Sequence, residues 1–363
     1  MDKILSRAIT ILRFPLIVGV VFAHNKMEHF TIQGQIVDFN IWPWVSFIMY
    51  LIRSVIAATS VPLFFIISGF LLFNNKFFNT ETYKKNVQKR CHSLLIPYII
   101  WNFVGFVILL IQVHPYFNNM FPLLKDYRID ISTLIDSFWV IQLPQNPAGT
   151  TNPINYPLWF LRDLMVLVLL APIIYKLIKL LRYWILPFIC ALYFFRLGGY
   201  VGLSGLSHQS VVFFLLGSYL AIENVDIVRF LSRCKFTIPL YAFVSVADVV
   251  TRNYNGNEYL HMGGVILGVI CFSSIAILVS KKIPNCDRNQ FLSKSSFFIY
   301  LVHGLFITKL MKLLVILLKP TSPFLVLALF FAVPIITIIL CLLIYHFLNK
   351  NLPAITNVLV GGR

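Results

Sequence analysis

Stretches of roughly 20 mostly apolar residues recur along this chain, each long enough to cross about 30 Å of hydrocarbon as a helix. That recurrence constrains the fold more than any other feature. Lipid offers no partners to backbone N–H and C=O groups, so a spanning segment must satisfy its own as a helix or close into a barrel. Ten such stretches fall at about 8–27, 45–73, 93–113, 157–177, 183–200, 208–224, 236–251, 260–280, 295–318 and 323–348. The expected fold is all-α, a polytopic transmembrane helix bundle of about ten spans forming one membrane-embedded domain over residues 1–363. Only 12% of the residues are charged, against about 25% in an ordinary soluble domain, and the spans leave no segment for a soluble one. Arg13 lies within the first stretch and no small-residue cleavage site follows it, so a retained helix is expected rather than a signal peptide.

The basic residues set the expected orientation. With the N-terminus inside, nineteen of the 30 Lys and Arg fall in inner segments, six in outer loops and five within spans. That split places both termini in the cytoplasm. The formal net charge of +17 is then mainly a topology signal, with cationic loops held against anionic lipid. No nucleic-acid partner is expected, because no basic stripe lies on a soluble surface. None of the six cysteines falls in an outer loop, so no disulfide is implied. The longest outer loop, 114–156, carries a short amphipathic stretch from Ile131 to Leu143 and a turn-rich run from Pro144 to Pro153. A loop of that length is expected to line or cover a site.

Ionisable residues inside a bilayer are costly and mark function by default. Arg13 and His24 share the first span, eleven residues or roughly 16 Å apart along the axis. Counting depth along each span gives two polar layers: Arg13, Ser68 and His303 towards the inner side, and His24, Arg53, Arg162 and Asp163 towards the outer. Polar groups spread through the thickness of a bundle describe a path across it, which fits both transport and transmembrane group transfer. The histidines are scattered without Cys, Asp or Glu at ligand spacing, so no metal site is expected.

Five segments then bring a family into view: Leu12-Arg13 with His24 eleven residues beyond Arg13; Val61-Pro-Leu-Phe-Phe-Ile-Ile-Ser-Gly-Phe70; Arg90 leading to Leu95-Ile-Pro-Tyr98 and Trp101; Leu158-Trp-Phe-Leu-Arg-Asp163; and Ile299-Tyr-Leu-Val-His303. In this order the chain resembles the membrane acyltransferase 3 family, whose members acylate glycans of the cell envelope and, in some cases, peptides or antibiotics. It departs from the family's pattern where Thr10 stands in place of an acidic residue before Arg13, and where Val87 replaces the first of two spaced arginines.

The resemblance implies a multi-pass protein of the bacterial cytoplasmic membrane that moves an acyl group, acetyl foremost, from acetyl-CoA or another acyl-CoA to a hydroxyl of an envelope glycan or lipid-linked sugar. A membrane exporter or flippase of such an intermediate is the alternative. His24 and Arg13 are the implied catalytic residues. Arg90, Ser68, Trp159, Arg162, Asp163 and His303 are implied in binding donor or acceptor. With an ordinary pKa near 6.5, His24 suits proton abstraction at neutral pH, acting directly on the hydroxyl or carrying the acyl group in transit. Glu28, four residues on, or Asp163 would orient its ring. Arg162 would stabilise an oxyanion or simply pair with Asp163. Ser68 beside Gly69 also suits close helix packing.

Overall fold

A computed structural model describes residues 2–32, 35–74, 78–117, 121–144, 151–195, 204–282 and 287–362. Its first helix, α1 (Lys3–Ala23), starts at Asp2, whose side chain accepts from the Ile4 N–H. Such a cap satisfies one of the N–H groups that a helix start leaves unpaired. A short antiparallel hairpin follows, β1 (His29–Ile32) on β2 (Gln35–Asp38). The chain re-enters through α2 (Pro43–Tyr50), widens into a π-helical turn at Leu51–Ile56 and continues into α3 (Ser60–Phe73). A second π-turn, Cys91–Leu95, joins α4 (Thr80–Arg90) to α5 (Ile96–Val113).

The long loop contains α6 (Ile131–Asp136), closed at its start by a capping box between Asp130 and Thr133. It packs on α5 through a small apolar cluster of Leu109 from that helix with Leu124 and Ile141 from the loop. Residues 145–150 of its turn-rich run lie outside the described residues. The remaining helices are α7 (Trp159–Leu169), α8 (Ala171–Leu181), α9 (Ile185–Phe194), α10 (His208–Ile222), α11 (Ile227–Arg233), α12 (Thr237–Thr251), α13 (Asn257–Lys282), α14 (Asp287–Leu318), α15 (Pro323–Asn351) and α16 (Pro353–Leu359).

Seven helical segments among the described residues are long and apolar enough to cross a membrane, and eight if α10 and α11, bent by 114°, form one broken span. The shortfall against ten expected spans has local causes. The span expected at 157–177 is interrupted at Leu170, just before Pro172 at the start of α8; a proline lacks the N–H that a continuous helix would need. The one expected at 236–251 is α12, whose 15 residues reach only about 22 Å.

Helix α1 is the hub, packing on α14, α13, α3 and α15. The tightest crossing is between α3 and α10. A Cβ on Gly69 would sit 2.3 Å from the Phe214 carbonyl oxygen, and one on Gly217 would sit 2.1 Å from that of Ile66. Only glycine at both positions lets the two backbones approach this closely.

Candidate active site

Arg13, Ile17 and Val20 of α1 and His24, which caps its end, fall on one face at helical spacing. Helix α14 runs parallel to α1 along that face. Near one end, Arg13 Nη1 lies 3.5 Å from the Ser293 hydroxyl. At the other, the rings of His24 and His303 are 5.4 Å apart between centroids. Ten residues separate Ser293 from His303 and eleven separate Arg13 from His24, so the two helices keep register over about 15 Å. This corrects the expected layering, which grouped His303 with Arg13 and Ser68: the structure puts His303 at the level of His24.

The His24 ring sits where α1 stops. Its own backbone N–H still bonds to Val20 and Val21, while the following residues turn away. The edge of Tyr156 meets the imidazole at 4.8 Å. Three contacts hold Tyr156 in place through its neighbours. The Asn155 N–H donates to Asn102 Oδ1 and its side-chain amide donates to the Leu301 carbonyl, at 3.2 and 2.9 Å. The Tyr300 hydroxyl donates to the Pro157 carbonyl at 2.7 Å. Gly304 opens the notch in α14 that admits the Pro157 ring, since a Cβ there would lie 2.5 Å from Pro157 Cγ.

Buried His303 donates from Nδ1 to the Ile299 carbonyl at 2.9 Å, which leaves Nε2 as the acceptor of a neutral ring. That Nε2 has no hydrogen-bond partner among the described residues, and neither do the side-chain oxygens of Asn25 and Asn155. Three unsatisfied buried polar atoms on residues that surround or adjoin His24 are unusual, since a buried polar group without a partner typically costs about 1–3 kcal/mol.

The two carboxylates expected to orient His24 are committed elsewhere. Glu28 is held in a two-point contact by Arg53, at 2.9 Å from Nε and 2.7 Å from Nη2. Asp163 accepts from Arg162 at 3.1 and 3.2 Å and from the Ser207 N–H at 2.9 Å. The charged or chargeable groups that bear on His24 are instead His303, Lys26 and Arg53.

Arg162 is itself fully used. Besides Asp163 it donates to the Trp139 and Thr151 carbonyls at 2.6 and 2.7 Å, and its guanidinium stacks 5.3 Å from the Trp139 ring. It therefore pins two points of the long loop to α7. Trp159 is half-buried with its ring 6.2 Å from Phe65. Ser68, also half-buried, adjoins the glycine crossing of α3 and α10. Arg90 ends α4 close enough to Arg13 for the two charges to interact, and neither has a carboxylate partner among the described residues. No group of metal-ligating side chains occurs among the described residues.

Sequence reasoning marked His24, Arg13, Arg90 and His303 but missed Asn25, Asn102, Asn155 and Tyr156. Asn25, Asn155 and Tyr156 each lie within three residues of a recognised motif, which was the available signal. Asn102 likewise follows Trp101 of a recognised motif.

A family model described as an acyltransferase domain matches residues 6–346. The succinoglycan biosynthesis protein ExoH of Rhizobium meliloti (strain 1021) is 27% identical over 272 residues, which cover 71% of this chain and 65% of ExoH, just under two thirds of that relative's length. No solved structure matches the chain. With its series of membrane-length apolar helices and a family match over nearly its whole length, the chain is a multi-pass membrane protein that belongs to the acyltransferase 3 family.

Proposed function

We propose that this protein transfers an acetyl group from cytoplasmic acetyl-CoA to a hydroxyl of an envelope glycan, or of its lipid-linked precursor, at the outer face of a bacterial cytoplasmic membrane. The observation that carries the reading is the α1–α14 pair. At one end it carries Arg13, which with Arg90 at the close of α4 has no carboxylate partner among the described residues, and at the other a histidine end at His24 and His303, roughly 16 Å away. The distribution of basic residues puts the cationic end in the cytoplasm. It also puts both termini there, which requires an even number of crossings; ten is the number read from the hydropathy.

In this reading Arg13 and Arg90 bind the phosphates of coenzyme A, and the pantetheine arm lies along α1 towards His24. His24 takes the proton of the acceptor hydroxyl as its oxygen attacks the thioester carbonyl. The C–O bond forms, the C–S bond breaks, and the imidazolium returns its proton to the departing thiolate. His303 Nε2, without a partner among the described residues and on a ring 5.4 Å from that of His24, is available to accept a hydrogen bond from His24 during the reaction and so to fix which ring nitrogen acts as base. The positive charge of Lys26, which bears on His24, favours the oxyanion that develops on the carbonyl oxygen. The glycan acceptor rests on the relative named for succinoglycan biosynthesis.

The test measures surface-glycan ester in a deletion strain complemented with wild type or His24→Ala, with membrane levels checked by blotting. Ester restored by wild type alone supports the mechanism. Equal rescue by both removes His24 from it. Glycan absent from the surface of the deletion strain, with no change in ester, points to export instead.

A further inference from the structure

A pocket of about 370 Å³ opens beside the histidine end, lined by Glu28, Asn40, Ser46, Tyr50, Arg53, Arg252 and Asn253. Its size falls in the range of small-ligand sites, roughly 300–1,000 Å³. Five segments build it: the chain just beyond His24, the turn between β2 and α2, α2 itself, the π-turn after it, and the α12–α13 connection. The π-turn carries Arg53, and single wide turns of this kind recur at functional sites.

Its chemistry is specific. Arg53 grips Glu28 at two points. Arg252 donates to the Ser46 hydroxyl at 2.9 Å and to its carbonyl at 3.3 Å while stacking 5.0 Å from the Tyr50 ring. The Ser46 hydroxyl donates onward to Asn40. Apart from the Tyr50 ring and side-chain stems, the lining has no apolar surface, which suits neither an acyl chain nor a lipid tail. Alternating fixed donors and acceptors around one aromatic face match a ring that carries several hydroxyls. Glu28, which lines the pocket, lies four residues beyond His24, so the pocket opens on the segment that leaves the proposed base.

We infer that this pocket binds the sugar residue carrying the acceptor hydroxyl, with Arg252, Asn253 and the Glu28–Arg53 pair reading its other hydroxyls. The inference rests on the acyl-transfer reading above and names the acceptor site of that reaction.

The probe is the host's surface glycan, purified and stripped of esters, used with full-length protein in membranes. Arg252→Gln is expected to raise the KM for this glycan at least tenfold, with the KM for acetyl-CoA and kcat each within about twofold of wild type. In parallel, Asn253→Cys is labelled with a membrane-impermeant maleimide, with the unsubstituted protein as background, and the glycan is expected to slow that labelling. An unchanged glycan KM in Arg252→Gln, together with labelling that the glycan does not slow while wild type acylates it, overturns the pocket and leaves the acyl-transfer reading standing. Slowed labelling by a glycan that wild type fails to acylate keeps the pocket and overturns that reading. If the glycan neither slows labelling nor is acylated, both fall.

Discussion

Two buried polar clusters lie on the same side of the molecule and differ in one respect. Around Arg162 and Asp163 the donors and acceptors are matched: the guanidinium meets a carboxylate and two carbonyls, and the carboxylate also takes a backbone N–H. Around His24, atoms of His303, Asn25 and Asn155 remain without partners among the described residues. The Arg162–Asp163 cluster is fully buried and turned onto the protein's own backbone, so its contribution is to hold the long loop against α7. An unsaturated one bears a desolvation cost that a substrate can relieve. The difference separates structural charge from candidate chemistry more sharply than depth in the membrane does, since Arg162 and His24 stand at similar expected depths.

The largest effect that would test this contrast is at His24. Its replacement by Ala is expected to lower acyl transfer by about 100-fold or more, the usual scale for losing a general base, with unchanged protein in the membrane. A parallel fall in protein level would erase the contrast. Arg162→Met or Asp163→Asn should do the reverse. Each strands a buried partner, at a cost of about 3–5 kcal/mol, visible as a lower melting temperature in detergent and less protein in the membrane. The double replacement Arg162→Met with Asp163→Leu should recover much of that stability, because no lone charge is left buried.

Gly304→Ala comes next. The added methyl meets Pro157 Cγ, and overpacking of this kind costs about 1–3 kcal/mol. Displacement of the 155–157 turn from His24 should lower kcat even where the protein remains folded. The smallest expected effect is at His303. His303→Ala removes one hydrogen-bond acceptor, worth about 1.4 kcal/mol at most and hence roughly tenfold in kcat, with His303→Gln recovering part of it. A change in the KM for acetyl-CoA with kcat intact would move His303 from the base to the donor path.

Much of the fold was legible because apolar length is a local property. Each span needs only its own residues to cross a bilayer, so the long helices α1, α13, α14 and α15 lie close to where hydropathy puts them. The bend between α10 and α11 was not legible, because Asn224, with φ of +51°, reads as an ordinary loop residue. The hairpin after α1 was missed although Thr31, Ile32, Ile36 and Val37 flank Gly34, a pattern too short to stand out beside the spans. In the site, Arg13 and His24 were legible together because helical spacing alone puts both on one face of α1.

The sequence by itself determined a multi-pass helical membrane protein of the acyltransferase 3 family and the spacing of Arg13 and His24. Only the tertiary structure decided what each polar group meets. Glu28 pairs with Arg53 rather than His24, Asp163 pairs with Arg162, and His303 faces His24, because those choices depend on which helices are neighbours. Spacing along one helix fixes a face and a rise. Partners on other elements are chosen by packing between segments far apart in the chain, 280 residues for Arg13 and Ser293 and 305 for Asn25 and Phe330, and no local pattern encodes that choice.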